Sequence, residues 1–466
     1  MLFFWSYLIL IFFNFLIPTT DTDFGWHYRC GQEFISQGQL CVNNRFSYFL
    51  SQYQWGYSSF IYDVLLAGIY DWFGFWGVAV ALAILVTLIV AIFYLAFRLS
   101  PTVFLSVGLF LLGSANIITI GFRPQVLSLL FFLFLLLLIK HLNSKRSRTI
   151  AINLIIICLL VLWTNSHPSF ILGIGVYLLY SFWQVFKGQR LYLLMIFFGL
   201  CLPLINPLGV GVYTEIWHHY QTDLSKLIAE WTAPNRIMQG AMLVTYLTVF
   251  YVLIFKYKHR HELSIFYLVI LSILLIIAFD AKRHVPLYWL LFFFILEHSE
   301  VLANALKHLK IPISLFNVSL ISLLFFMALV NVQKLVPINN FKQWYCSHAL
   351  VKLPYTQIEK YRKFKGNIFT MYEWGGYFIW QIPGSRVFVD GRMPAWITKS
   401  GKSPYTIYLE IIQAQPGWEK TLANYQTDLI FIKSGTFLDL ELQENPRSQW
   451  LSRYHDSQVA IYQIKK

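Results

Sequence analysis

Apolar residues in this chain fall into long unbroken runs, without the spaced apolar faces of a soluble fold. Runs near 2–18, 75–97, 102–119, 125–139, 149–163, 169–186, 191–206, 239–255, 263–279, 285–299 and 311–333 predict eleven membrane-spanning helices, because about 20 apolar residues cross a bilayer. Residues 58–74 read as an amphipathic stretch along the interface. The first run, Leu2 to Pro18, has no Lys or Arg before it and no small-residue cleavage site after it. It is expected to remain as a helix and not to be cleaved as a signal peptide.

The pattern changes beyond residue 333. Residues 334–466 hold seventeen Lys and Arg against ten Asp and Glu, with no long apolar run. "NIFTMYEWGGYFIWQIPGSRVFVDGR" predicts a strand, a Gly-Gly turn, a short helix and a strand over 386–390, and "DLIFIK" and "QVAIYQI" predict further strands. The expected organisation is a transmembrane domain over 1–333, with a long first outer loop at 19–57, followed by a small α/β domain over 334–466.

Composition agrees with a polytopic membrane protein. The 466 residues are 57% hydrophobic and only 12% charged, where soluble chains carry roughly a quarter charged residues. The formal net charge of +14 does not point to nucleic acid, because the basic residues are scattered between apolar runs. With the N-terminus in the cytoplasm, the short inner connectors hold twelve basic residues: Arg98, Lys140, Lys145, Arg146, Arg148, Lys187, Arg190, Lys256, Lys258, Arg260, Lys307 and Lys310. The longer outer ones hold seven, namely Arg29, Arg45, Arg123, Lys226, Arg236, Lys282 and Arg283. That bias sets the orientation, and an odd number of spans exports the C-terminal domain. Cys158 and Cys201 lie in apolar runs. Cys30 and Cys41 share the first outer loop and can pair if that loop meets an oxidising compartment.

Candidate chemistry gathers in the outer loops. In "DTDFGWH", Asp21 or Asp23 is expected to cap a helix starting near Phe24, leaving the other carboxylate free at the membrane surface. Solvated caps at both positions are the plainer alternative, and Asp-x-Asp leaves a divalent cation, Mg or Mn, open. His27 falls four residues after Asp23, on the same helical face, as a catalytic group or as a polar anchor. Trp26 suits an interfacial aromatic belt. Arg123, Lys282, Arg283 and His284 stand at span starts, where lipid phosphates sit. Each can be ordinary snorkelling, yet a positive cluster on the outer side suits an anionic lipid-borne phosphate. His167 and Asn206 lie at span ends beside prolines and can satisfy freed backbone groups, and Glu230 faces the cavity or solvent. Asp390 and Arg392 end a predicted strand, where α/β sheets bind ligands, or form a local pair that shapes the turn.

These segments in order resemble a bacterial family of GT-C-type membrane glycosyltransferases. "DTDFGWHYRCGQEFISQGQLCVNNRFSY" is similar to the family's Asp-x-Asp opening, "FRPQ" to its Arg-Pro-Gln, and "LWTNSHPSFILG" to its Leu-Trp-x-Asn-x-His run. "INPLG" looks like its Asn-Pro-x-Gly, and "YEWGGYFIWQIPGSRVFVDGR" like its exported Trp-Gly-Gly-Tyr and Phe-x-Asp-Gly-Arg segments. The resemblance implies a bacterial inner-membrane enzyme that takes sugar from a polyprenyl-phosphate donor on the outer face, with an acid of the first outer loop, Asp21 or Asp23, as base. One departure stands out. Where members show a His-Glu pair after the tryptophan matching Trp55, this chain has Ser58, Ser59 and Phe60, and Asp63 is the nearest acid.

The mechanism expected from this is attack of an acceptor hydroxyl on the anomeric carbon. Asp21 or Asp23 would take the proton, and Arg123, Lys282 and Arg283 would stabilise the departing phosphate. Trp374 and Trp380 stack on sugar rings or belong to a core. The rival classes are a non-catalytic transporter or flippase of lipid-linked or anionic solutes, and a membrane-anchored envelope assembly protein. A transporter's polar residues gather near mid-membrane, whereas here they crowd one face.

Overall fold

The computed structural model describes residues 2–97, 101–144, 149–222, 224–253, 262–298, 313–398, 401–445 and 448–465. Among the inner-connector cations, Arg98, Lys145, Arg146, Arg148, Lys256, Lys258, Arg260, Lys307 and Lys310 lie outside the described residues. The chain is mostly helical and divides into two compact units, each assembled from separated segments.

The first unit comprises Met1–Thr19, Phe73–Asn206 and Ile228–Ile338. Its helices are apolar on most faces. Val285–His298 is buried nearly throughout its described length, as a helix hydrophobic all round must be. Elsewhere Leu95, Leu112, Ile155, Phe182, Phe197, Ile276 and Phe326 are exposed, an apolar surface that lipid accommodates. Side-chain amides tie the first helix, Leu2–Asn14, to Ile313–Leu335. Asn14 Nδ2 donates to the Leu324 carbonyl at 2.9 Å, and Asn331 Nδ2 to that of Phe13 at 2.8 Å.

Among the described residues, three helices are long and apolar enough to cross a membrane: Phe60–Phe97, Pro124–Leu142 and Val318–Leu335. Other apolar helices are shorter, among them Thr149–Thr164, Phe170–Phe186 and Leu191–Leu204, and fall below the roughly 20 residues a straight crossing takes. Helix Phe60–Phe97 is interrupted at Gly74, whose φ of 62° and ψ of −155° suit glycine and no residue with a Cβ. The expected interfacial stretch 58–74 ends at that break.

The second unit comprises Thr20–Trp72, Pro207–Leu227 and Asn339–Lys466. Its centre is a five-stranded sheet of β1 (Gly366–Thr370), β2 (Ser385–Val387), β3 (Leu429–Lys433), β4 (Trp450–His455) and β5 (Val459–Ile464). The order is β2-β1-β3-β5-β4, parallel on the β2-β1-β3 side and antiparallel on the other. β3 and β5 are almost wholly buried, as central strands of apolar sequence should be.

Three expectations change here. The Gly-Gly pair is no turn, because Gly375 and Gly376 open the helix Gly375–Gln381. The strand expected over 386–390 is Ser385–Val387, with Asp390 in the following loop. β4, whose side chains are mostly exposed, gave too little apolar signal to be foreseen. Trp374 and Trp380 are core residues, at 1% and 8% exposure.

The first outer loop belongs to this unit. Val387 donates its N–H to the Phe46 carbonyl at 3.0 Å, and Tyr48 donates to Val387 at 3.1 Å, so the loop pairs along β2. Helix Phe24–Gln37 packs on Gly375–Gln381 with backbone against backbone. A Cβ on Gly25 would strike the Gly376 carbonyl, and one on Gly376 the Thr22 carbonyl. Cys30 and Cys41 form a disulfide, with Cα atoms 5.4 Å apart.

Candidate active site

Two groups of polar residues emerge, one in each unit. In the second unit, the helix carrying the first-loop acids starts at Phe24 with Asp23 at its N-cap, but the Asp23 side chain makes no capping hydrogen bond. Asp21 does the local work. Its Oδ1 accepts from the Asp23 N–H at 3.3 Å, and its carbonyl accepts from the Phe24 N–H at 3.1 Å and the Tyr345 hydroxyl at 2.5 Å. Asp21 is buried. The expectation of a cap by one acid and a free surface carboxylate from the other is corrected accordingly. Asp23 is half-buried, with its carboxylate lying against the backbone of Gly391, where a Cβ would collide with Oδ1.

Gly391 separates the two residues singled out in the exported domain. Asp390 and Arg392 form a buried two-pronged pair, with Arg392 Nε on Oδ1 and Nη2 on Oδ2, both at 2.7 Å. Nη2 also donates to Asn44 Oδ1 at 3.1 Å. The guanidinium is ringed by Phe46, Trp55, Trp396 and Trp26, whose centroids lie 5.3 to 6.0 Å away. Planar arginine suits such a setting, since it hydrogen-bonds in its plane and stacks on rings. Its Nη1 is buried with no hydrogen-bond partner. Tyr372 senses both acids of this cluster. Burial first, then the charges of Asp23 and Asp390, push its hydroxyl well above the usual range.

Trp26 changes role, and His27 takes Asp63 as its polar partner. His27 Nδ1 meets Asp63 Oδ1 at 2.5 Å, and Ser59 Oγ donates to Asp63 Oδ2 at 3.3 Å. Asp63 is fully buried. The imidazole stacks on Trp26 at 3.5 Å. Trp26 is therefore an interior residue between His27 and Trp55, not part of an exposed belt.

Sequence reasoning missed Glu215, on helix Gly211–Gln221. Its Oε1 accepts from the Gly56 N–H at 3.2 Å, while Oε2 is buried without a hydrogen-bond partner. Burial raises its pKa to about 7, against the lowering effect of the Gly56 N–H. The signal available was a helical stretch, "YTEIWHHY", between two outer-loop segments already marked.

The first unit gathers the predicted cations. Arg123 Nη1 meets Glu230 Oε1 at 2.5 Å. The Arg283 guanidinium lies 4.4 Å from the Trp231 ring centroid, and the Lys282 N–H donates to the Thr232 carbonyl at 3.0 Å. Burial favours a neutral Glu230, but Arg123, Arg283 and Lys282 overrule it and hold its pKa below the ordinary value. His167 Nδ1 accepts from the backbone N–H of Ser169, just past Pro168, at 3.3 Å, and it also meets side chains. Its Nδ1 engages Ser169 Oγ at 2.7 Å and Ser128 Oγ at 2.9 Å, and Trp163 Nε1 donates to both hydroxyls. Burial, then Arg283, Arg123 and His284, keep His167 neutral, well below its usual pKa. Burial and Arg283 lower His284 to about 3. Asn206 donates to the Pro203 carbonyl.

Among the described residues, no group of three or more His, Cys, Asp and Glu side chains is placed to hold a metal ion.

No family model and no curated protein matches the chain, but solved structures do. Oligosaccharyltransferase AglB from Archaeoglobus fulgidus, in complex with an inhibitory peptide and a dolichol-phosphate, is 12% identical with a TM-score of 0.58 over 89% of this chain and 66% of that one. The present chain thus spans just under two thirds of that protein's length. ArnT from Cupriavidus metallidurans, bound to undecaprenyl phosphate, is 9% identical with a TM-score of 0.56 over 98% and 97% of the two chains. A complex of the Archaeoglobus fulgidus oligosaccharyltransferase with Zn and sulfate is 13% identical, with a TM-score of 0.54 over 96% and 70%. At such identities the likeness is one of fold, and this chain shares the fold of AglB and ArnT.

Proposed function

We propose that this chain is a membrane glycosyltransferase that moves a sugar from a polyprenyl-phosphate donor to an acceptor on the extracytoplasmic face of a bacterial inner membrane. The observation that carries the proposal is the cluster of Arg123, Lys282 and Arg283 beside Glu230. Positive charge held in place beside tuned neutral histidines suits a phosphate whose charge grows as the glycosidic bond breaks. AglB in complex with a dolichol-phosphate and ArnT bound to undecaprenyl phosphate support the same donor class.

In this mechanism an acceptor hydroxyl attacks the anomeric carbon, and the sugar–phosphate C–O bond breaks. The hydroxyl proton passes to Asp23, the first-loop acid whose side chain is not committed to the helix cap; Asp21 is the less suited of the two. The bonding pair leaves with the phosphate; Arg123, Lys282 and Arg283, within the first unit, offer the kind of fixed positive charge such a leaving group needs. His27, held by Asp63, and Arg392, held by Asp390, position the segments on either side of Asp23.

The proposed orientation, with the N-terminus inside, puts the first outer loop in an oxidising compartment. The Cys30–Cys41 disulfide supports that orientation, since such bonds persist outside the cytoplasm. The test is transfer from a radiolabelled undecaprenyl-phosphate sugar by the purified chain in nanodiscs. Label moving to an acceptor in wild type and not in Asp23→Asn supports the proposal; donor that crosses the bilayer without being consumed favours the flippase.

A further inference from the structure

A cleft lies in the sheet domain, lined among others by Gln443, Asn445, Trp450, Ser452, His455 and Lys465. Its volume of about 490 Å³ falls within the ~300–1,000 Å³ typical of small-molecule sites. None of its lining residues belongs to either group described above.

The walls are built, not loose. Asp439 is fully buried and pins three groups: Tyr462 OH donates to Oδ1 at 2.5 Å, and the Gly435 N–H and His455 Nε2 meet Oδ2 at 2.8 and 3.1 Å. Gln443 Nε2 stands 2.9 Å from the same His455 nitrogen. Burial would raise the Asp439 carboxyl, but its hydrogen bonds, led by Tyr462, hold it below the ordinary value. Lys465 Nζ is fixed on the Ser448 carbonyl at 2.7 Å. Trp450, 5% exposed, has an indole N–H with no hydrogen-bond partner. A buried donor left unmade costs stability unless something completes it.

The chemistry of the lining selects the ligand class. It offers two amides, hydroxyls, an imidazole, an indole and the Lys465 ammonium, itself held on the Ser448 carbonyl, beside Leu442 and Leu451, and no carboxylate. Such a set matches a molecule that both donates and accepts hydrogen bonds and carries an apolar C–H face. An extended peptide added to the sheet edge is the other candidate for this position. β4 is the edge strand, but its register shifts between Ser452 and Tyr454, and a bulge of this kind blunts edge pairing.

We propose that this cleft binds a neutral saccharide, as a non-catalytic site that holds a glycan on the sheet domain. It stands apart from Asp23 and does not depend on glycosyl transfer being the reaction.

The experiment uses the full chain in nanodiscs, probed with maltotriose and chitotriose by saturation-transfer NMR and calorimetry. At least one trisaccharide should bind saturably, and Trp450→Phe, which removes the indole N–H together with part of the ring, should weaken it about fivefold or more, at least the value of one hydrogen bond. Gln443→Ala should weaken it similarly, while Asp23→Asn should bind as wild type does. No saturable binding of either sugar, or undiminished binding in both cleft variants, overturns the site. Loss of binding in Asp23→Asn assigns the saccharide to the transfer site and overturns it as well.

Discussion

The Asp23 carboxylate rests against the backbone of Gly391, the residue between Asp390 and Arg392. The first-loop acid is thereby positioned by a segment more than three hundred residues away. Replacing Gly391 with alanine inserts a methyl group where Oδ1 lies, so Gly391→Ala should lose transfer activity while the disulfide and helical content persist. Activity within twofold of wild type in a labelled-donor assay would show that Asp23 need not hold this position.

Asp23→Asn should lower transfer by about 100- to 10,000-fold, the usual contribution of a positioned general base. Asp21→Asn keeps the carbonyl that Tyr345 binds and should cost less. If both single variants and the double variant retain full turnover, the base lies elsewhere.

Donor binding checks the cationic group separately. Arg123→Ala also strips Glu230 of its partner and should weaken undecaprenyl-phosphate binding by roughly 10-fold or more, as loss of a charge-assisted contact does. Arg283→Ala should do likewise and should let His284 protonate more readily, since Arg283 helps hold it down. Unchanged donor affinity in both variants would remove them from the site.

Glu215 gives a pH signature. Its folded-state pKa is raised from 4.5 to about 7, so between those values the unfolded chain has lost the proton that the folded chain retains. Stability of the second unit should therefore fall as pH rises from about 4.5 through 7, by an amount on the order of 3 kcal/mol. Glu215→Gln keeps an acceptor for Gly56 and should flatten the profile, raising the melting temperature at pH 8 more than at pH 5. Parallel profiles for variant and wild type would count against a protonated Glu215.

Reduction of Cys30–Cys41, or Cys41→Ser, opens a short loop with a sequence separation of 11. The second unit should lose about 3 kcal/mol of stability. Thermal unfolding with and without reductant measures it.

Much of the helical character and the presence of strands in the C-terminal part were legible, because apolar runs and short β-branched stretches are local signals. β4 was not, since an edge strand with polar side chains carries little period-two pattern. At the candidate site, residue types were readable but partners were not. Nothing near His27 in sequence names Asp63 as its partner, and no spacing rule places Gly391 beside Asp23. The same limit explains Trp26, whose interior position depends on Trp55 and the far side of the fold. Glu215 was missed because one acid on an amphipathic helix looks solvated until Gly56 covers it.

The second unit draws on residues 20–72, 207–227 and 339–466, and this has a consequence for biogenesis. As the ribosome proceeds from the N-terminus, the acidic stretch emerges early, while the sheet it docks on is completed only with the last strand, β5. Nascent chains must keep that early segment unpaired through most of synthesis, exposed to holding factors or wrong partners. Chains halted before the final strand would carry both aspartates and still lack the scaffold that aims them.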